Sequence, residues 1–104
     1  MNGRSEQHED WAEIAAASDY RISEMARKRG ISTRHLRRLF QKWFHSSPKH
    51  QVDVWRAQAV ADQVRGGASV KLAGSDQKFK QPSHVSQFVK RVLKTSPHEY
   101  RQQI

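Results

Sequence analysis

One stretch of this chain occurs twice. "HLRRLFQKWFHSSP" (35–48) and "HVSQFVKRVLKTSP" (84–97) align at an offset of 49 residues. Leu36, Leu39, Phe40, Trp43 and Phe44 then fall on Val85, Phe88, Val89, Val92 and Leu93. His35 falls on His84, and Ser47–Pro48 on Ser96–Pro97. The shared apolar spacing, i, i+3, i+4, i+7, i+8, is one buried stripe of an α-helix. A chain that carries this helix twice, with its punctuation in step, is constrained to two copies of one helical unit.

Each copy has a lead-in. Before the first, "WAEIAAA" places Trp11, Ile14 and Ala15 on one helical face, and "SDY" interrupts it. "RISEMARKRG" repeats the pattern with Ile22, Met25 and Ala26, and Gly30 suits a helix C-cap. Ser32 follows as an N-cap. Helix, short turn with glycine, helix is the outline of a helix-turn-helix. Ser47 and Pro48 then open a long helix over about 48–65, with Val52, Trp55, Ala59, Val60 and Val64 apolar and Gly66–Gly67 as its stop. The second unit begins near Ser69. Ser96 and Glu99 form a capping box for a short last helix that packs Tyr100. No run alternates as a strand does. The expected fold is all-α: about seven helices, as a flexible N-terminus (1–9), a first helix-turn-helix subdomain (10–47), a linker helix (48–66) and a second subdomain (67–104).

Charge narrows the partners. The formal net charge is +9 over 104 residues, which favours a polyanion, nucleic acid before an anionic membrane. There is no cysteine, so disulfides, thiolate metal sites and cysteine nucleophiles are excluded. His45, His50 and His84 form no ligand set, so no metal and no cofactor is expected. There is no nucleophile elbow, phosphate loop or helical acid pair, and the chain does not read as an enzyme. No apolar run approaches the roughly 18 residues of a membrane span, and "MNGRSEQHEDW" is no signal peptide; a soluble, intracellular protein is expected.

The face opposite the first stripe carries Arg34, Arg37, Arg38 and Gln41, and that of the second carries Ser83, Ser86, Gln87, Lys90 and Arg91. Arginine pairs bidentately with guanine O6 and N7, glutamine with adenine N6 and N7. For one such helix alone, a solvated basic face over a core stripe is the commoner arrangement. Two copies in a chain of this charge favour DNA. The stripe itself is core, which leaves Trp43 and Phe44 unable to insert in lipid as well.

On these residues the chain resembles the DNA-binding domain of AraC/XylS-type transcription regulators over 11–101, a fold of two helix-turn-helix units joined by a long helix. "MARKRGISTRHLRRLF" matches the first unit at Ala26, Gly30, Ser32, Leu36 and Phe40. Arg56 matches the linker, and Phe79, Val85, Pro97, Tyr100 and Arg101 match the second unit. Trp11, at the start of the first helix, is similar to the single-domain MarA/SoxS branch. There are departures. Lys78 stands where the family has glycine. The family's Ile-Ala pair maps in strict register onto Ala73–Gly74, whereas Leu72–Ala73 fits the chemistry one residue early. "LAGSDQ" is a poor helix former, so the second supporting helix is expected to be shifted, shortened or loosely ordered. Gln81 replaces a better N-cap.

The resemblance implies sequence-specific binding of double-stranded DNA to control transcription. Recognition helices at about 33–45 and 82–94 would enter successive major grooves, roughly 34 Å apart. Base contacts are expected from Arg34, Arg37, Arg38, Ser83, Ser86 and Gln87; His35 and His84 point sideways from these faces. Phosphate contacts are expected from Ser32, Gln41, Lys42, Lys90 and Arg91. Arg56 and Trp11 are read as structural; Arg56 could touch phosphate or pair with an acid such as Asp53 or Asp62, and the structural role is favoured. The expected state is a monomer, with RNA polymerase as a further partner. The alternatives are a degenerate helix-turn-helix that docks on the transcription machinery, or the DNA-binding part of a larger regulator or recombinase.

Overall fold

A computed structural model describes residues 11–94 of the chain. All regular structure among them is helical. The helices are α1 (11–17), α2 (Ile22–Lys28), α3 (Thr33–Phe44), α4 (Pro48–Arg65), α5 (Val70–Asp76) and α6 (Pro82–Leu93). The last helix expected from the sequence, with Ser96, Pro97, Glu99, Tyr100 and Arg101, lies outside the described residues, as does the N-terminus up to residue 10. The chain divides into two compact units, with the boundary at Asp53 and Val54, inside α4.

In unit 1 the α3 stripe makes the core. Leu36 and Phe40 are fully buried, beside Met25 and Ala26 of α2 and Trp11 and Ala15 of α1. Trp11 meets the Phe40 ring edge-on at 5.4 Å and the Trp43 ring at 6.1 Å, and Phe40 and Phe44 lie 4.9 Å apart. Leu39, Trp43 and Phe44 are half-buried, so the stripe is deepest at its centre. Ser32 caps α3 by accepting from the His35 amide at 3.0 Å, and Ser47 does the same for α4 through the His50 amide at 3.2 Å.

Unit 2 is built on the same plan from smaller residues. Ala57, Val60 and Val64 of α4 pack with Ala73 of α5 and Val85 and Val89 of α6, under Val70, Phe79, Phe88, Val92 and Leu93. In α4, Ala57 and Ala61 are buried while Ala59 is only half-buried. Apolar spacing had pointed to Ala59.

The strict register prevails in α5. Ala73 and Gly74 are buried, and Leu72 is 57% exposed. The helix is neither shifted nor short: it has seven residues, as α2 has. Ser69 caps it through the Leu72 amide at 3.1 Å. Gly74 is no defect either. A Cβ at that position would stand 2.5 Å from Val85 Cγ2, so the missing side chain is what lets α5 close on α6.

Backbone bonds extend the internal repeat beyond α3 and α6. Tyr20 N–H donates to Ala15 O and Ile31 N–H to Ala26 O. Ala68 N–H donates to Gln63 O and Phe79 N–H to Gly74 O in the same way. These are Schellman ends, and the pairs match at an offset of 48. Helices α3 and α6 match at 49, down to the left-handed caps His45 and Lys94. The turn before α6 is therefore one residue longer than the turn before α3. Its left-handed position, taken by Gly30 in unit 1, is taken by Lys78 at φ +69° in unit 2.

Candidate nucleic-acid interface

The exposed face of α3 is the most basic helical surface of unit 1. Arg34, Arg37, Arg38, Gln41 and Lys42 are all exposed, and so is His35. Spacing explains it: with 36, 39, 40, 43 and 44 turned to the core, these positions have only solvent to face. Among the described residues no carboxylate pairs with Arg34, Arg37, Arg38 or Lys42.

Other cations are engaged. Arg27 holds Glu24 at 2.9 Å, and this hydrogen bond keeps the Glu24 carboxyl below its ordinary range. Lys49 binds Asp53 at 2.7 Å, and Arg65 binds Asp62 at 3.1 Å. Lys28 Nζ donates to the Ala17 carbonyl at 2.7 Å, closing the end of α1. Arg29 lies over the Trp11 ring at 5.5 Å. The paired acids thus lie on α2 and α4, and α3 carries none.

Arg37 also borders a hollow of about 420 Å³ with Ile22, Ser23, Thr33, Ser47 and Lys49. The start of α3 and the start of α4 meet there, each with its serine-capped first turn. Ser32 Oγ already accepts the His35 amide, so toward a phosphate it is left with its O–H as a donor.

On α6, Ser83, His84, Gln87, Lys90 and Arg91 are exposed, whereas Ser86 is half-buried and turned partly toward the core. The Arg91 guanidinium lies 5.5 Å from the centre of the Phe88 ring. The Gln81 side chain makes no capping bond, and Pro82 opens the helix. Two further cations, not singled out by the spacing, are exposed near this end: Lys71 and Lys80 border a hollow of about 200 Å³ with Gly74, Ser75, Phe79 and Val85. The signal was present as lysines clustered around Phe79, but it has no helical period.

Arg56 has partners other than the expected acids. Its Nε donates to Gln77 O at 2.9 Å and its NH2 to Lys78 O at 2.8 Å, at the C-terminal end of α5. Its guanidinium stacks on Phe79 at 3.8 Å. Asp53 and Asp62 are instead taken by Lys49 and Arg65, one turn away on the same helix. A planar fork suits two adjacent carbonyls at the negative end of a helix, and there it serves the fold.

No helix among the described residues is long and apolar enough to cross a membrane, and no cluster of metal-ligating side chains occurs among them. A family model described as "Helix-turn-helix domain", of the AraC type, matches residues 25–103. Neither the curated proteins nor the solved structures gave a significant match. The family is one of DNA-binding domains that regulate transcription. With two helix-turn-helix units in the described fold and a match over most of its length, the chain belongs to the AraC-type helix-turn-helix family.

Proposed function

We propose that this protein binds duplex DNA sequence-specifically, with α3 and α6 as its recognition helices, and so controls transcription. One observation carries the reading: the outer face of α3 presents Arg34, Arg37 and Arg38 with no carboxylate paired to them among the described residues, on a helix pinned by its own buried stripe. Those arginines read bases in the first half-site, with Arg34 also within reach of the backbone. Gln87 and Ser83 read the second, with Ser86 contributing less because it is half-buried. Ser32, Gln41, Lys42, Lys90 and Arg91 hold phosphates. Trp11 and Arg56 keep the two units in shape. The protein acts as a monomer in the bacterial cytoplasm, in the manner of the single-domain MarA/SoxS branch, with RNA polymerase as a further partner.

Selection of bound duplexes from a random library tests this. Two enriched half-sites about 10 base pairs apart are expected. Affinity should fall by about 10³–10⁵ between about 50 and 200 mM salt if six to ten phosphates are engaged. The absence of any enriched duplex would refute the reading.

One observation favours a second role. Leu72 is a large apolar side chain left 57% exposed on α5. A protein-docking module would use it. Salt-insensitive binding to a protein partner, without duplex binding, would select that reading over the first.

A further inference from the structure

The outer face of α6 is not purely polar. Gln87, His84 and Arg91 share a hollow of about 370 Å³ with Phe79 and Phe88. The two phenyl rings meet edge to face, 5.1 Å between centres, and both are half-buried. The Arg56 guanidinium backs both rings, 3.8 Å from the Phe79 centre and 5.8 Å from the Phe88 centre. The surface beside Gln87 is thus an apolar wall of two packed, half-buried rings.

The corresponding positions in unit 1 hold different chemistry. Arg38 stands where α6 has Gln87, Leu39 where it has Phe88, and Ile31 where unit 2 has Phe79. Arginine suits guanine; glutamine suits adenine N6 and N7. An adenine in the major groove comes with a thymine, the one base that projects a methyl group there, and phenylalanine is among the side chains that receive it.

We propose that α6 selects adenine–thymine pairs: Gln87 takes the adenine edge and the Phe79–Phe88 wall takes a thymine C5-methyl, on the same or a neighbouring pair. This rests on the reading of α6 as a helix that enters the major groove. The two half-sites then differ in kind, guanine-bearing under α3 and methyl-bearing under α6.

The test uses the full chain and a duplex it has enriched from a random library. Each thymidine is replaced in turn by 2′-deoxyuridine, which removes only the methyl and leaves pairing and hydrogen-bonding edges unchanged. One or two thymines of a single half-site should each lose affinity by about four-fold, the worth of one buried CH₂-sized group. In the Phe88→Ala protein the ratio of thymidine to deoxyuridine affinity at those positions should fall to near one. Because the ratio is taken within one protein, a general weakening does not disturb it. In case Phe88→Ala does not fold, Gln87→Ala, on an exposed position, provides the second variant, and its selected site should lose the A·T preference in the same half-site only. Equal binding of thymidine and deoxyuridine duplexes by the unchanged protein would overturn the inference, as would a G·C-rich second half-site. If no duplex is enriched at all, the duplex-binding reading has failed; if a single half-site is enriched, it is the groove-entering reading of α6 that has failed.

Discussion

The guanidinium of Arg56 lies flat against Phe79, 3.8 Å from the ring centre, while its nitrogens hold the carbonyls of Gln77 and Lys78. A single side chain of α4 thus closes the end of α5 and fixes the aromatic that follows. Two charge-assisted bonds to carbonyls and one stacked ring predict that Arg56→Ala destabilises the protein by about 1–3 kcal/mol. Arg56→Lys should recover less than half of this, because an ammonium cannot bridge two carbonyls and stack at once. Denaturant titration of the three proteins reads the difference. Equal stability of Arg56→Ala and the parent chain would deny the contact any structural role.

Lys78 holds φ +69° at the position where unit 1 has Gly30 at φ +68°. A left-handed conformation costs a side-chain-bearing residue roughly 1–2 kcal/mol, and glycine gives back part of that through its greater unfolded-state freedom. Lys78→Gly should therefore stabilise the fold by about 0.5–1 kcal/mol, visible as a higher melting temperature. Its carbonyl, and hence the Arg56 bond, is retained. A melting temperature that falls would show that the lysine side chain contributes more than the strain costs.

Gly74 of α5 faces Val85 of α6 with no room for a side chain between them. On helix propensity alone Gly74→Ala would gain nearly 1 kcal/mol. Against that, the new methyl would stand 2.5 Å from Val85 Cγ2, and overpacking of a filled core costs about 1–3 kcal/mol. The clash wins, so Gly74→Ala should destabilise. Gly74→Ala with Val85→Ala should cost less than the sum of the two single changes, because each removes the other's obstruction. Additive values in that double-mutant cycle would mean that the helices relax apart freely.

These three positions show where sequence reading stops. The stripes of α3 and α6 were legible because a buried helix face imposes a period, and the caps Ser32, Ser47 and Gly30 because they answer local backbone needs. The second unit was harder. "LAGSDQ" reads as a poor helix by propensity, yet α5 forms in strict register, because propensity of about 1 kcal/mol yields to packing against Val85. The longer turn before α6 was hidden because a one-residue insertion leaves every apolar stripe intact. The partners of Arg56 are backbone carbonyls, which carry no sequence signature. Which cations are neutralised is likewise invisible until the acids are placed.

The caps of α3 and α6 are unequal. Ser32 accepts the His35 amide, while Gln81 makes no side-chain cap. Ser32→Ala should cost about 1 kcal/mol, and Gln81→Ser should gain a similar amount or somewhat less. Both are exposed, so no packing change confounds the comparison. Thermal melts of the two variants check it, and the opposite signs are the content of the prediction.

The α3 arginines give the most direct test of function. Arg37→Ala and Arg38→Ala should each weaken binding to a cognate duplex by about 1–3 kcal/mol and relax discrimination at one base position. Lys42→Ala and Lys90→Ala should weaken all duplexes evenly and lower the salt slope by about one each. Neither arginine is paired with a described carboxylate, and both are exposed, so folding stability should stay within about 0.5 kcal/mol. That separation matters: lost binding with intact stability is what a base-reading side chain predicts. If both arginine variants bind as the parent does, α3 is not the reading helix, and its bare cationic face serves only to attract the polyanion.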